Sequence, residues 1–153
     1  MPAPTAEAPL RYHWLRLRAV AHPTEAVEKV AAAVRFVAGV DAAPQETILE
    51  THHGLPQHVL EVALERSRDV RDLLGRLLAL PGARDKLRAE LEARVDDDGL
   101  FFVRFDKQEA YAGRLVVTSS EDCVQIRLKT ESYPSGRAAA IRDLTRLLES
   151  GKP

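Results

Sequence analysis

The sequence predicts an α+β fold: a mainly antiparallel sheet with helices packed on one face. Three observations support this. Stretches of period-2 apolar alternation recur along the chain. Several of them follow one another across short turns, as hairpins do, and hairpin strands run antiparallel. Stretches of helical apolar spacing fall between groups of strands rather than after every strand, which argues against a parallel βαβ sheet. The predicted order is βαββααβββα.

"RYHWLRLRAVAH" reads as the first strand. Leu15, Leu17, Ala19 and Ala21 make one apolar face. Tyr12, Trp14, Arg16, Arg18, Val20 and His22 make an aromatic and basic one. Pro23 stops the strand, and Thr24 is placed to cap the helix that follows. Glu25 and Glu28 fall in its first turn, where the helix dipole favours anions. Val27, Val30, Ala31, Val34 and Val37 recur at helical spacing, and Gly39 closes the helix.

"QETILETHHG" reads as a strand ending at Gly54, and "HVLEVALER" as its hairpin partner across Pro56. In the partner, Leu60, Val62 and Leu64 point inward, and Glu61 and Glu65 outward. "SRDVRDLLGRLLAL" is helical, with Ser67 expected as cap and Val70, Leu73, Leu74, Leu77 and Leu78 as the buried stripe. Pro81 and Gly82 break it. A second helix, "ARDKLRAELEARV", buries Leu87, Leu91 and Val95.

"DDDG", Asp96 to Gly99, turns into the strand "LFFVRF", whose polar tail is "DKQEAYAG". "RLVVTSS" and "CVQIRLKTES" form a hairpin around "SSED". In the second of these, Val124, Ile126 and Leu128 face one way, and Gln125, Arg127 and Lys129 the other. After "YPSG", "RAAAIRDLTRLLES" is the last helix, with Ala138, Ile141, Leu144 and Leu148 inward.

At 153 residues the chain suits one domain, expected over residues 10–150 behind a disordered leader at 1–9. No apolar run approaches the ~20 residues of a membrane helix, and "MPAPTAEAPL" lacks the basic and apolar regions of a secretory signal. The single cysteine, Cys123, forms no internal disulfide and suits a reducing, cytoplasmic home. A net charge of −1 excludes a globally basic coat protein, so local charge distribution must decide about nucleic acid.

Three groups could carry chemistry. His22, His52 and His53 lack the spacing of a zinc site, and adjacent strand residues point to opposite faces, so no metal is expected. A structural role and an RNA contact both stay open for them. Asp106 beside Lys107 resembles an acid–base pair, but no nucleophile–base arrangement or phosphate loop accompanies it, so no enzyme activity and no cofactor are expected. The third group is basic and aromatic: Trp14, Arg16 and Arg18 on the first strand, Arg127 and Lys129 on a late one, with Arg104 and Lys107 beside "DKQ". Guanidinium and ammonium groups suit phosphates, and aromatic rings suit unstacked bases. An ordinary solvated sheet face in an arginine-rich chain has the same composition. From the residues alone an enzyme, an RNA contact and a polar strand end all remain open for "DKQEAYAG".

Four segments resemble a known family. "VAHPTEAVEKV" is similar to its H-x-T-E-x-x-x-K-V opening, and "ETHHGLP" to its E-x-H-H-G-x-P segment. "VRFDKQEAYAG" resembles its R-x-D-K-Q-x-A-Y-x-G element, and "YPSGRAAAI" its Y-P-x-x-R-x-x-A-I close. They occur in the family's order across residues ~15 to 148, with mild departures at Leu55 and Glu109. The family is the archaeal RNA-binding domain family, often called the predicted exosome subunit. The resemblance implies a fold similar to the 5S-RNA-binding large-subunit ribosomal protein. It also implies a non-catalytic role in RNA processing alongside exosome or ribonuclease P subunits.

Carried over by motif, the RNA-binding set is His22, His52, His53, Arg104, Lys107, Gln108 and Tyr111, and Arg16, Arg18, Arg127 and Lys129 of the basic face extend the track. Arg104 and Lys107 are expected to contact phosphates, Gln108 a base edge or ribose hydroxyl, and Tyr111 or a histidine to stack. Asp106 is expected to orient a neighbour or brace a turn. The three motif loops are expected to gather at one end of the sheet. A protein–protein adaptor is the competing reading, and an exposed strand edge leaves a homodimer open.

Overall fold

A computed structural model describes residues 9–51 and 54–153. The apolar alternation read in the sequence builds one five-stranded sheet in the order β2-β3-β1-β5-β4, with every neighbouring pair antiparallel. The strands are β1 (Tyr12–Ala21), β2 (Gln45–Glu50), β3 (Pro56–Leu64), β4 (Phe101–Asp106) and β5 (Cys123–Thr130). The helices are α1 (Val27–Ala38), α2 (Ser67–Leu78), α3 (Ala83–Ala89), α4 (Lys107–Tyr111) and α5 (Arg137–Ser150), with a 3-10 turn at Leu91–Arg94. The predicted α+β class and its order of elements stand.

The core lies between the inward face of the sheet and the helices. Leu15 and Leu17 of β1, Leu60 of β3, Phe101 and Phe105 of β4, and Ile126 and Leu128 of β5 are buried. Val34 and Val37 of α1, Leu73, Leu74 and Leu77 of α2, Leu87 of α3 and Leu144 of α5 cover them. Each such side chain contributes about 1.5–3 kcal/mol by leaving water. That gain, set against chain entropy, fixes which face of each strand turns inward.

Arginines tie the helices together. Arg76 of α2 donates to the carbonyls of Phe36 (3.1 Å) and Val37 (2.6 Å), the orphan acceptors at the end of α1. Arg84 of α3 does the same for α5 through Leu148 (2.9 Å) and Glu149. Burial lowers the Arg76 pKa, opposed by Asp72.

Local readings shift in five places. Neither Thr24 nor Ser67 caps a helix: α1 starts only at Val27, and Ser67 is already inside α2. "RLVVTSS" is not a full strand. It runs along β4 with one isolated bridge, Val117 to Phe105. "DKQEAY" turns into the short helix α4 rather than a strand tail. In α5 the buried stripe is Ala139, Ala140, Leu144, Leu147 and Leu148, leaving Ala138 exposed. Tyr12 is buried rather than open to the basic face, because the register slips between Tyr12 and Trp14. His13 is the extra residue of a β-bulge there, and a bulge reverses the alternation on one side of it. Of the expected leader, 1–9, all but Pro9 lies outside the described residues.

Candidate nucleic-acid interface

Strand register places the basic residues. Helices cover one face of the sheet, so the even positions of β1 beyond the bulge open to the other. Cross-strand partners share that face. Trp14 pairs with Lys129, Arg16 with Arg127 and Arg18 with Gln125. On the far strand Arg127 pairs with Phe102, and Gln125 with Arg104. The rows Arg16–Arg127–Phe102 and Arg18–Gln125–Arg104 therefore run side by side. Trp14 and Lys129 lie beyond them, toward the bulge.

Arg16 stands over the Trp14 ring, 4.1 Å from its centroid, a cation–π contact. Trp14, Arg16, Arg18, Gln125 and Arg127 border a hollow of about 340 Å³, with Glu61 as its acid. Arg16, Arg18, Arg127 and Lys129 are exposed, and among the described residues no ion pair neutralises them. Arg104 is half-buried and donates to the Ser119 carbonyl at 3.4 Å.

The "DKQ" segment is organised differently. Asp106 caps α4: its Oδ1 accepts the Glu109 backbone N–H at 2.9 Å. This is the turn-bracing role expected for it. Lys107, expected at the phosphates, is only 2% exposed. It follows the open-face residue Asp106, and so turns to the helix side. Its ammonium donates to the Val20 carbonyl (2.9 Å), Glu25 Oε1 (2.8 Å) and Asp122 Oδ1 (2.6 Å). All three protons have acceptors, and none is left for a ligand. The Lys107 hydrogen bond holds the Asp122 carboxyl below its ordinary value, against its own partial burial.

His22, Glu25 and Asp122 bring ligand-type atoms within 4.8 Å of one another, and the Lys107 ammonium already supplies the positive charge there. His22 is exposed and closes the turn into α1: its N–H donates to Glu25 Oε1 at 3.1 Å, and Glu25 N–H to its carbonyl at 2.9 Å. Gln108 and Tyr111 border a cavity of about 330 Å³ with Thr24 and Lys29, and Lys29 Nζ lies 5.4 Å from the Tyr111 ring centroid.

The first and third motif loops therefore meet at one end of the sheet. The β2–β3 hairpin, whose β3 start pairs with the end of β1, lies at that same end. His52 and His53 lie outside the described residues. The remaining candidates separate into two places: the open face, with Arg16, Arg18, Arg104, Arg127 and Lys129, and the α1–α4 cavity, with Gln108 and Tyr111. Two residues escaped the sequence reading. Lys29 had a signal, since it is the lysine of the first motif. His13 had none, because a bulge is visible only against its partner strand.

An antiparallel sheet with one face under helices and the other basic and aromatic defines an α+β protein with an exposed cationic face. The model of the RNA_binding family, described as "RNA binding", matches residues 14–130, and the chain belongs to that family. It is 32% identical over 147 residues to "RNA-binding protein PAB1135" of Pyrococcus abyssi, covering 92% of this chain and 96% of that one. Among solved structures it resembles Mth689, a DUF54 protein from Methanothermobacter thermautotrophicus (TM-score 0.76, 30% identity, 92% of this chain and 99% of that one). AF2318, of the same DUF54 family, matches at TM-score 0.78 and 31% identity over the same shares of the two chains.

Proposed function

We propose that the protein binds single-stranded or looped RNA along the open face of the sheet and catalyses nothing. The observation that carries this is the pair Arg16–Arg127. The two stand directly opposite each other on adjacent central strands, exposed and, among the described residues, without an acid partner. Like charges in that position destabilise a sheet by roughly 0.2–1 kcal/mol. A phosphate between them turns the repulsion into two charge-assisted hydrogen bonds. Arg18, Arg104 and Lys129 extend the track, and Trp14 and Phe102 offer rings to bases. Gln108, Tyr111 and Lys29 form a second contact at the sheet end, beside His22. Lys107 and Asp106 hold that end together rather than touching RNA.

The test is the salt dependence of binding to a labelled single-stranded oligoribonucleotide. Arg16→Gln and Arg127→Gln are each expected to weaken binding and to reduce the slope of log K against log salt by about 0.7. Both variants are expected to match or slightly exceed the wild type in thermal stability. Unchanged affinity and slope in both would sink the placement.

The role in RNA processing beside exosome or ribonuclease P subunits, and the cytoplasmic setting, draw their support from the family resemblance and the free Cys123. Among the described residues no helix is long and apolar enough to cross a membrane. A protein partner is favoured by one feature, the bare edge strand β2. All six of its residues are exposed, and Ile48 (60%), Leu49 (46%) and the neighbouring Leu55 (53%) are apolar. The opposite edge, β4, is covered: Asp106 N–H donates to Val116 and Thr118 N–H to Arg104. We assign the β2 edge to a second copy of the chain. Partners that survive nuclease in a native pull-down would favour the adaptor reading instead.

A further inference from the structure

The β-bulge at His13 does more than bury Tyr12. It puts His13 beside Trp14 at the rim of a second hollow, of about 590 Å³, at the far end of the basic face from Lys107. That volume is within the ~300–1,000 Å³ of small-molecule sites. Trp14 and Leu100 border both this hollow and the smaller one along the sheet, so the two are neighbours. Arg16, which covers the indole, borders only the smaller one.

The lining is chemically mixed in an ordered way. Lys129, paired across the ladder with Trp14, supplies one cation. Asp97 and Asp98 supply carboxylates on the opposite loop. Both are exposed, and among the described residues neither has a basic partner. The loop is preset by Asp96, whose Oδ1 accepts from Asp98 N–H and Leu100 N–H, each at 2.9 Å. Gly99 fits there because it has φ +82° and no Cβ, which would lie 3.3 Å from Ala140 Cβ. Ser132 is held by Thr130 (2.8 Å) and by donating to Asp143 (2.7 Å). The backbone of this loop and the Ser132 side chain are therefore held before any ligand arrives.

We infer that this hollow takes one unstacked base of the RNA strand bound along the sheet, and that the base is guanine. The inference rests on the RNA-binding reading. Carboxylates only accept hydrogen bonds, and they repel phosphate, so they suit a donor-rich base edge rather than the backbone. Guanine presents two adjacent donors, its ring N1–H and its exocyclic amino group. Uracil presents a single ring N–H. Trp14 and His13 supply rings for stacking, and Lys129 takes the adjoining phosphate.

Trp14 is the only tryptophan in the chain, so its emission reports on the hollow directly. Three labelled decamers would be titrated: uridine throughout, uridine with one central guanosine, and uridine with one abasic residue at that position. All three are expected to bind with equal salt slopes. The guanosine decamer is expected to bind at least about fivefold tighter than the uridine one and to quench Trp14 most strongly, and the abasic decamer least. Asp97→Asn with Asp98→Asn is expected to abolish the guanosine preference without changing the salt slope. Equal binding and equal emission for all three decamers would overturn the base pocket and leave the RNA track standing. Binding by none of them would overturn both.

Discussion

Lys107 shows how a basic residue in a nucleic-acid-binding protein can be structural. Its ammonium joins the end of β1, the turn before α1 and the loop before β5. Lys107→Ala is expected to leave two unneutralised carboxylates and an unbonded carbonyl, and to cost about 2–3 kcal/mol, below the range for a fully buried pair because Glu25 and Asp122 keep water contact. Denaturant unfolding measures the loss, while the RNA salt slope of the folded fraction should not move. Asp122 adds a pH dependence. Its folded value is depressed below 3.8, so its share of stability is present above that value and vanishes as pH falls through the folded one. Asp122→Asn is therefore expected to be less stable at neutral pH and to lose less on acidification below pH 3.8. An acid limb as steep as the wild type's would refute the linkage.

Two short elements set where side chains emerge. α4 has five residues and depends on its cap. Asp106→Ala is expected to cost about 1 kcal/mol, and Asp106→Asn much less, since asparagine also accepts from the helix N-terminus. Equal losses would show that the charge rather than the cap matters. The second is the bulge in β1. The alternation of Trp14, Arg16 and Arg18 was legible because it continues unbroken into the strand. Tyr12 was misplaced by the same rule, since one inserted residue inverts the face of all that precedes it. The 114–118 segment has strand composition, yet makes one bridge. Its N–H and C=O groups serve chiefly to close the β4 edge.

Across the whole molecule the two sheet edges differ in kind: β4 is closed by that segment, and β2 is bare. Unpaired edges that expose apolar side chains, as Ile48 and Leu49 are exposed here, pair with other strands. Ile48→Lys is expected to convert a concentration-dependent dimer into a monomer in sedimentation equilibrium. A wild type that stays monomeric at every concentration would remove the second-copy assignment. The sequence by itself determined the α+β class, the inward faces of β3, β5 and α2, and the basic row on β1. Periodicity is local, and burial follows it. The four motif segments determined the family. Only the tertiary structure decided which cations are free. Lys107 finds two of its three acceptors 82 and 87 residues away, Arg76 caps a helix 39 and 40 residues back, and Arg84 one 64 and 65 residues ahead. Arg16 and Arg127 find no acid among the described residues. A charge's role depends on the partners that folding brings to it, and the spacing of residues along a chain does not encode those partners.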